Sequence, residues 1–408
     1  MKITEVRVFV TTPAGEAGQT YVLVKILTDQ GIYGVGEGTK NGRELAVASL
    51  LENHLAPVLI GKDPGAIEDI WKYLYRGAYW RGGPIQNTAL AAIDMALWDI
   101  KGKVAGLPVY SLLGGPTRRG LLTYVHAHGS DLEHVTDEVL KYKERSYKVI
   151  RAQVETPGMP GGYGAEDKND PAYREAFEKQ LPYEGVWEPE PYLQIVPKLF
   201  DHLRDKVGWD VELFHDAHGR LSPIQAARLA KSLEPYRLMF LEDPISPENV
   251  EGMRMVRQAS TTPLGIGEII SSKFQIMPML LDQTIDYMRC SPMHIGGITE
   301  GKKLAAMAEP FDIRTAFHGP GDVGPVGAAA SAHVGMAIPN FGIQEWVRHA
   351  DIVHEVMTGG AWFEDGYLKL PDTPGLGVDI NEELVSRFPW HRKYLPAIRR
   401  ADGSMHGY

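Results

Sequence analysis

Apolar and polar residues alternate with a period of two from Ile3 to Val10 and from Tyr21 to Leu27, and a third run, Gly31-Ile-Tyr-Gly-Val-Gly-Glu37, follows. Alternation of this kind puts successive side chains on opposite faces and predicts strands. Short turns separate the three, so they form an antiparallel meander. The period then becomes helical over Glu44 to Leu59, Ile67 to Tyr75 and Asn87 to Val104; the last carries Ala and Leu at i, i+3, i+4 and stops at Gly106-Leu-Pro108. A meander followed by helices is an α+β unit, and the break Leu113-Gly-Gly-Pro116 marks its end.

Beyond Arg118 strand and helix alternate, with strands starting near Leu121, Lys148, Val211, Leu238, Leu264, Asp286, Arg314 and Phe341. Eight is the number that closes a (β/α) barrel. The chain therefore reads as an α+β capping domain at 1–118, a barrel at 119–358, and a tail at 359–408 that packs back on the first domain. Strand starts fall 22 to 28 residues apart, except for the 63 between 148 and 211. The excess lies in Thr156-Pro-Gly-Met-Pro-Gly-Gly-Tyr163 and the polar stretch to about Pro191. Such a Gly/Pro-rich excursion at the C-terminal end of a barrel strand is either an active-site loop or a disordered spacer.

Three carboxylates stand in register with this pattern. Asp216, Glu242 and Glu268 are 26 residues apart in each step, and each closes an apolar run: Val211-Glu-Leu-Phe214, Leu238-Met-Phe-Leu241 and Leu264-Gly-Ile266. A single acidic residue at a strand end is most often a helix N-cap or a solvated charge. Three on successive parallel strands converge, and like charges brought together are costly unless a cation lies between them. Oxygen ligands suit a hard divalent ion such as Mg²⁺.

Composition narrows the partners. The chain has 408 residues, 44% hydrophobic and 23% charged, which is ordinary for a soluble enzyme. A net charge of −10 argues against nucleic acid or an anionic membrane. The one cysteine, Cys290, excludes an internal disulfide and fits a reducing compartment. Met1-Lys-Ile-Thr enters a strand pattern without a signal-peptide core, so a cytoplasmic location is expected. A closed homo-oligomer is expected as well.

The helix Ala91-Ala-Ile-Asp-Met-Ala-Leu-Trp-Asp-Ile-Lys-Gly102, the break Leu112-Leu-Gly-Gly115 and the Asp, Glu, Glu series resemble the enolase superfamily in its mandelate racemase-like branch. Ile150-Arg-Ala-Gln153, His215-Asp-Ala-His218, Leu241-Glu-Asp243, Gly267-Glu268, His318-Gly-Pro320 with Asp322, and Pro339-Asn-Phe-Gly-Ile-Gln-Glu345 resemble, more narrowly, the mannonate dehydratase subgroup, which includes D-mannonate and D-gluconate dehydratases. The resemblance covers nearly the whole chain. It implies an α/β fold, a (β/α)7β TIM-like barrel with an N-terminal capping domain completed by the tail. It also implies loss of water from a sugar acid through an enediolate, giving a 2-keto-3-deoxy acid.

Carried onto this sequence, the resemblance gives Asp216, Glu242 and Glu268 as Mg²⁺ ligands, His218 as the acid, and Tyr163 as the base, its phenol made more acidic by Arg151. His218, Glu268, Asn41, His126, Arg289, His318, Asp322 and Glu345 become substrate contacts. From the residues alone, Tyr163 reads more often as a surface aromatic than as a catalyst, Arg289 also reads as a barrel-bottom ion pair and Asn41 as a turn residue, and His126 hardly separates from His128. Pro320 stands where members carry Ala or Pro, and points towards gluconate or towards a weak, broad activity. Gly321-Asp-Val-Gly-Pro325 replaces a more usual Thr-Asp-Leu-Ser-Pro, and Met405-His-Gly-Tyr408 stands in place of a Trp-rich closing segment. Racemisation would call for Lys-x-Lys where Arg151-Ala-Gln153 stands. A silent scaffold would have no need of Tyr163, Arg151 and His218 together, and a hydrolase barrel would call for His-rich ligation.

Overall fold

The computed structural model describes residues 1–15, 18–157, 159 and 171–407. Strands β1 (Ile3–Thr11), β2 (Tyr21–Thr28) and β3 (Tyr33–Glu37) pair antiparallel in chain order, the expected meander. There follow β4 (Leu121–Gly129), β5 (Val149–Val154), β6 (Glu184–Val186), β7 (Glu212–Asp216), β8 (Leu241–Glu242), β9 (Leu264–Ile266), β10 (Tyr287–Met288), β11 (Arg314–Phe317) and β12 (Phe341–Glu345). Omitting β6, these eight pair in chain order and β12 returns to β4, which closes the barrel. Each observed strand begins within three residues of its expected start. Among the described residues no helix is long and apolar enough to cross a membrane.

The described residues group into two compact units: Met1–Leu122 with Gly267–Met277 and Met288–His391, and Thr123–Ile266 with Pro278–Tyr287 and Arg392–Tyr408. This division differs from a split at residue 118, because the N-terminal domain shares a core with the last barrel strands.

In the first unit β2 is covered on both faces. Val22, Val24 and Ile26 join Ile70, Leu90, Ile93 and Leu97 in one core, whereas Tyr21 and Leu23 join Phe317, Val326, Val378 and Ile380 in another. The period of two thus sends alternate residues of one strand into two cores. The helix Pro84–Ala105 starts with Pro84 in its first turn and ends at Gly106, whose left-handed conformation halts it where the sequence predicts. It lies so close to β3 that a Cβ on Gly36 would be 1.9 Å from the Ala92 carbonyl oxygen. Its polar residues are tied. Asp99 accepts the amides of Val35 (3.0 Å) and Leu376 (2.8 Å) and the Lys103 ammonium (2.7 Å). Asp94 accepts the Thr299 amide at 3.0 Å, at the start of the helix Ile298–Ala308.

Part of the tail completes this unit. β13 (Met357–Gly359) pairs antiparallel with β16 (Val378–Ile380), and between them the hairpin β14 (Trp362–Glu364) and β15 (Tyr367–Lys369) adds to β4. Glu382 takes Lys25 at 2.6 Å and Arg7 at 2.9 Å on the N-terminal sheet. The last residues join the second unit instead: β17 (Ala397–Arg399) pairs parallel with β6, and β18 (Met405–Gly407) pairs antiparallel with β17.

In the second unit an aromatic series runs across the barrel strands: Tyr124 to Phe214 (4.7 Å between centroids), Phe214 to Phe240 (4.4 Å) and Phe240 to Tyr287 (4.9 Å), the first contact skipping β5 and the last skipping β9. The long excursion after β5 carries more structure than its polar sequence predicts, with helix Pro171–Glu178, strand β6, and a barrel helix Pro189–Lys206 that starts before the expected limit at Pro191. Pro189 at the first helical position explains that start. Trp187, fully buried, stacks on His406 of β18 at 5.3 Å.

The close approach of β3 to its helix makes Gly36→Ala a sharp test. We expect it to lose about 2 to 3 kcal/mol or to prevent folding, by overpacking. Gly77→Ala, where a Cβ meets nothing within 4 Å inside the helix Ile67–Gly77, should be neutral or mildly stabilising. Thermal melts of both proteins check this; equal stability would contradict the packing described.

Candidate active site

The second unit places Asp216 at the end of β7 and Glu242 at the end of β8, as register partners on adjacent parallel strands. Both are buried, with relative exposures of 1% and 0%. Arg151, on β5, donates to Asp216 Oδ2 at 3.1 Å and lies 3.9 Å from Glu242 Oε2. Its other terminal nitrogen donates to His126 Nδ1 at 3.0 Å. A guanidinium can only donate, so His126 Nδ1 accepts and its proton sits on Nε2, the tautomer that can donate to a substrate oxygen. His128 is held neutral instead, its pKa lowered to about 3 by burial, Arg151 and His126.

The motif His215-Asp-Ala-His218 sends its residues to different tasks. The His218 amide donates to Asp216 Oδ1 at 2.7 Å, so the first carboxylate ties down the turn that carries His218. That turn puts His218 at φ 55°, a conformation a histidine adopts only when its surroundings hold it there. His215 serves as a brace: Nδ1 donates to the Ala152 carbonyl at 2.9 Å, and Nε2 accepts from the Tyr192 hydroxyl at 2.7 Å. Burial lowers its pKa to about 4, which keeps this arrangement neutral.

In the first unit Glu268 follows Gly267, whose φ of 139° and 3.0 Å clearance to the Cys290 amide admit no side chain. Arg289, fully buried just after β10, donates to Glu268 Oε2 at 3.4 Å and to Glu345 Oε2 at 3.1 Å. The Gly319 amide reaches the same Glu345 oxygen at 3.0 Å. Arg289 and Glu345 therefore act on Glu268 and on the His318-Gly319 turn, rather than standing open to solvent. His318 Nε2 lies 3.8 Å from Glu268 Oε2. Among the described residues His318 Nδ1 and Asp322 Oδ1 are buried polar atoms without a hydrogen-bond partner. Such atoms are costly unless a ligand or water meets them. Burial raises the Asp322 carboxyl above its ordinary range, against the pull of His318 and Lys40.

Asn41 is half-buried in the turn after β3. Tyr163 lies outside the described residues. Sequence reasoning passed over Lys40, whose charge bears on both Asp322 and His294, and passed over His294 itself, which meets the Thr88 hydroxyl at 3.1 Å and sits 6.2 Å from the His318 ring. Lys40 adjoins Asn41 and was legible by position; His294 carries no local signal.

A divalent cation fits the donor set. Asp216 and Glu242 bring two buried negative charges against the single positive charge of Arg151, and their donors are oxygen alone.

Comparison with known proteins shows the family. Residues 3–114 match the profile of the mandelate racemase / muconate lactonizing enzyme N-terminal domain, and residues 186–384 match the enolase C-terminal domain-like profile. A protein named D-mannonate dehydratase from Caulobacter vibrioides is 50% identical over 405 residues, 99% of each chain. A D-galactonate dehydratase family member from Pseudarthrobacter chlorophenolicus is 47% identical, with 100% of each chain covered. Among solved structures, an enolase from Pantoea ananatis with bound D-gluconate and Mg superposes with a TM-score of 0.91 at 42% identity, covering 100% of both chains.

Two outcomes are expected. Saturating Mg²⁺ should raise the melting temperature, an effect worth about 2.7 kcal/mol at a hundred times its Kd, and Asp216→Asn should abolish that rise; a rise that survives the substitution would exclude Asp216 as a ligand. Arg289→Met should cost about 3 kcal/mol or more in denaturant unfolding, because it leaves Glu268 and Glu345 without their common counter-ion.

Proposed function

The chain belongs to the enolase superfamily, and on that premise we propose that it is a Mg²⁺-dependent hydro-lyase that removes water from D-gluconate or D-mannonate to give the 2-keto-3-deoxy acid. The observation that carries the reading is the buried pair Asp216 and Glu242, bridged by Arg151, with His218 fixed two residues beyond the first carboxylate. Relatives bearing the name D-mannonate dehydratase and the Pantoea ananatis structure with D-gluconate and Mg support it.

Asp216, Glu242 and Glu268 would hold the ion, which when bound supplies positive charge for the substrate carboxylate, the group on which charge builds as C2 loses its proton. Dehydration then needs a base at C2 and an acid at the C3 oxygen. The C2–H bond breaks and its electron pair forms the C2–C3 double bond; the C3–O bond breaks as the hydroxyl takes a proton and leaves as water. The resulting enol becomes the 2-keto acid as C3 gains a proton and the C2 hydroxyl gives one up.

Tyr163 is assigned the base by resemblance, with Arg151 favouring its phenolate. His218 is assigned the acid, since its backbone is locked by Asp216 and a positioned imidazole is worth about 10²- to 10⁴-fold. Asp322 Oδ1 accepts from a polyol hydroxyl and His318 offers its Nδ1, both buried atoms without a hydrogen-bond partner among the described residues. His126 donates through Nε2, and Asn41 is a further substrate contact. Arg289 and Glu345 hold Glu268 and the His318 turn in place. Pro320 favours gluconate. A cytoplasmic, closed homo-oligomer goes with this reading.

A screen of hexonic and pentonic acids with Mg²⁺ tests it. D-gluconate or D-mannonate should yield a 2-keto-3-deoxy acid, chelation should stop the reaction, and Tyr163→Phe and His218→Asn should each lower kcat by about 10²-fold or more. Exchange of solvent deuterium into C2 without product would keep the site and reject the reaction.

A further inference from the structure

The helix Pro325–Ala337 begins without a side chain of its own to cap it, because its N-cap residue is Gly324. The amides of a helix start must still be met. Glu37, which ends β3, meets them from 287 residues away: its fully buried carboxylate accepts the Gly324 amide at 2.7 Å and the Gly327 amide at 2.9 Å. The Thr39 hydroxyl donates to the same carboxylate at 2.8 Å and fixes its rotamer. A negative charge at this end of a helix is also favoured by the helix dipole.

The contact is tightly built. A Cβ on Gly324 would stand 2.8 Å from Glu37 Oε2 and 2.9 Å from Tyr21 Cδ1. Tyr21, on β2, adds a second hold, its hydroxyl lying 3.3 Å from the Gly321 carbonyl and 3.2 Å from His349 Nδ1. The segment from His318 to Gly324 is thus pinned at both ends, by Glu345 at the Gly319 amide and by Glu37 at the Gly324 amide. Asp322 sits on this arc, next to the carbonyl that Tyr21 reaches.

We infer that Glu37 is a positioning residue, which from the N-terminal sheet fixes the loop that presents Asp322 to the acid sugar and so sets substrate affinity. The inference rests on the reading of Asp322 as a substrate contact. It accounts for the glycine at position 324, where the close approach of Glu37 and Tyr21 leaves no room for a side chain.

Glu37→Gln keeps the shape but leaves one acceptor oxygen for three donors. KM for D-gluconate or D-mannonate should rise about tenfold while kcat changes much less, the size expected for one buried donor left unmet. Gly324→Ala presses on the same carboxylate from the other side and should move KM the same way. Asp322→Asn should raise KM in the parent and add little on top of Glu37→Gln, since both act through one contact. Hydrogen exchange, which needs no ligand, should quicken at residues 319–327 in Glu37→Gln. If Glu37→Gln does not fold, Thr39→Val, which removes the 2.8 Å bond to Glu37 together with the 3.2 Å bond that the Thr39 hydroxyl accepts from the Val22 amide, takes its place with a smaller shift in the same direction. A folded variant with unchanged KM and unchanged exchange, or one that loses kcat at constant KM, overturns the inference. Failure of the parent chain to turn over either acid counts against the proposed reaction instead, and the exchange comparison still decides on Glu37.

Discussion

Burying carboxylates together is the constraint on which the rest of this molecule depends. Asp216 with Glu242, and Glu268 with Glu345, each share a single arginine, Arg151 in one case and Arg289 in the other. A carboxylate taken out of water must be met by donors or counter-charge, and the barrel spends its strand ends on doing so. Away from the strand ends, Asp94, Asp99 and Glu37 are buried on backbone amides, where they join elements far apart in sequence. Burial pushes the carboxyls of Asp94 and Glu37 up to about 7. A carboxyl whose folded pKa is raised favours the fold below its ordinary titration range, and loses that contribution as the pH climbs towards 7.

This arrangement separates two kinds of residue within one motif. In His215-Asp-Ala-His218, Asp216 does two jobs, holding Arg151 through one oxygen and the His218 amide through the other. His215 points into a neutral brace with Tyr192. His218 is thus positioned by the carboxylate beside it, and that carboxylate's strand end is braced from behind, so that geometry there does not rely on a mobile side chain.

The fold was legible because its signals are local. A period of two marks β1 to β3, Gly106 marks the end of the long helix, and the spacing of Asp216, Glu242 and Glu268 reveals parallel strands before any contact is known. The metal candidates were legible for the same reason. What stayed hidden depends on pairs distant in sequence. Glu37 at a strand end looks like a solvated charge until Gly324 is brought to it, and nothing local to Arg289 names Glu268 and Glu345 as the carboxylates it meets. The excursion after β5 reads as loop because its polar composition carries no trace of β17, the strand that pairs with β6.

That last pairing bears on how the protein is made. A parallel strand pair with residues 184–186 on one side and 397–399 on the other cannot form until residue 399 has left the ribosome. Trp187 waits equally long for the ring of His406. During synthesis the segment between β5 and β7 is therefore the last part of the barrel to be finished, with an apolar indole uncovered in the meantime. A chain ending at residue 396 would keep every residue of the barrel strands and still leave this edge open.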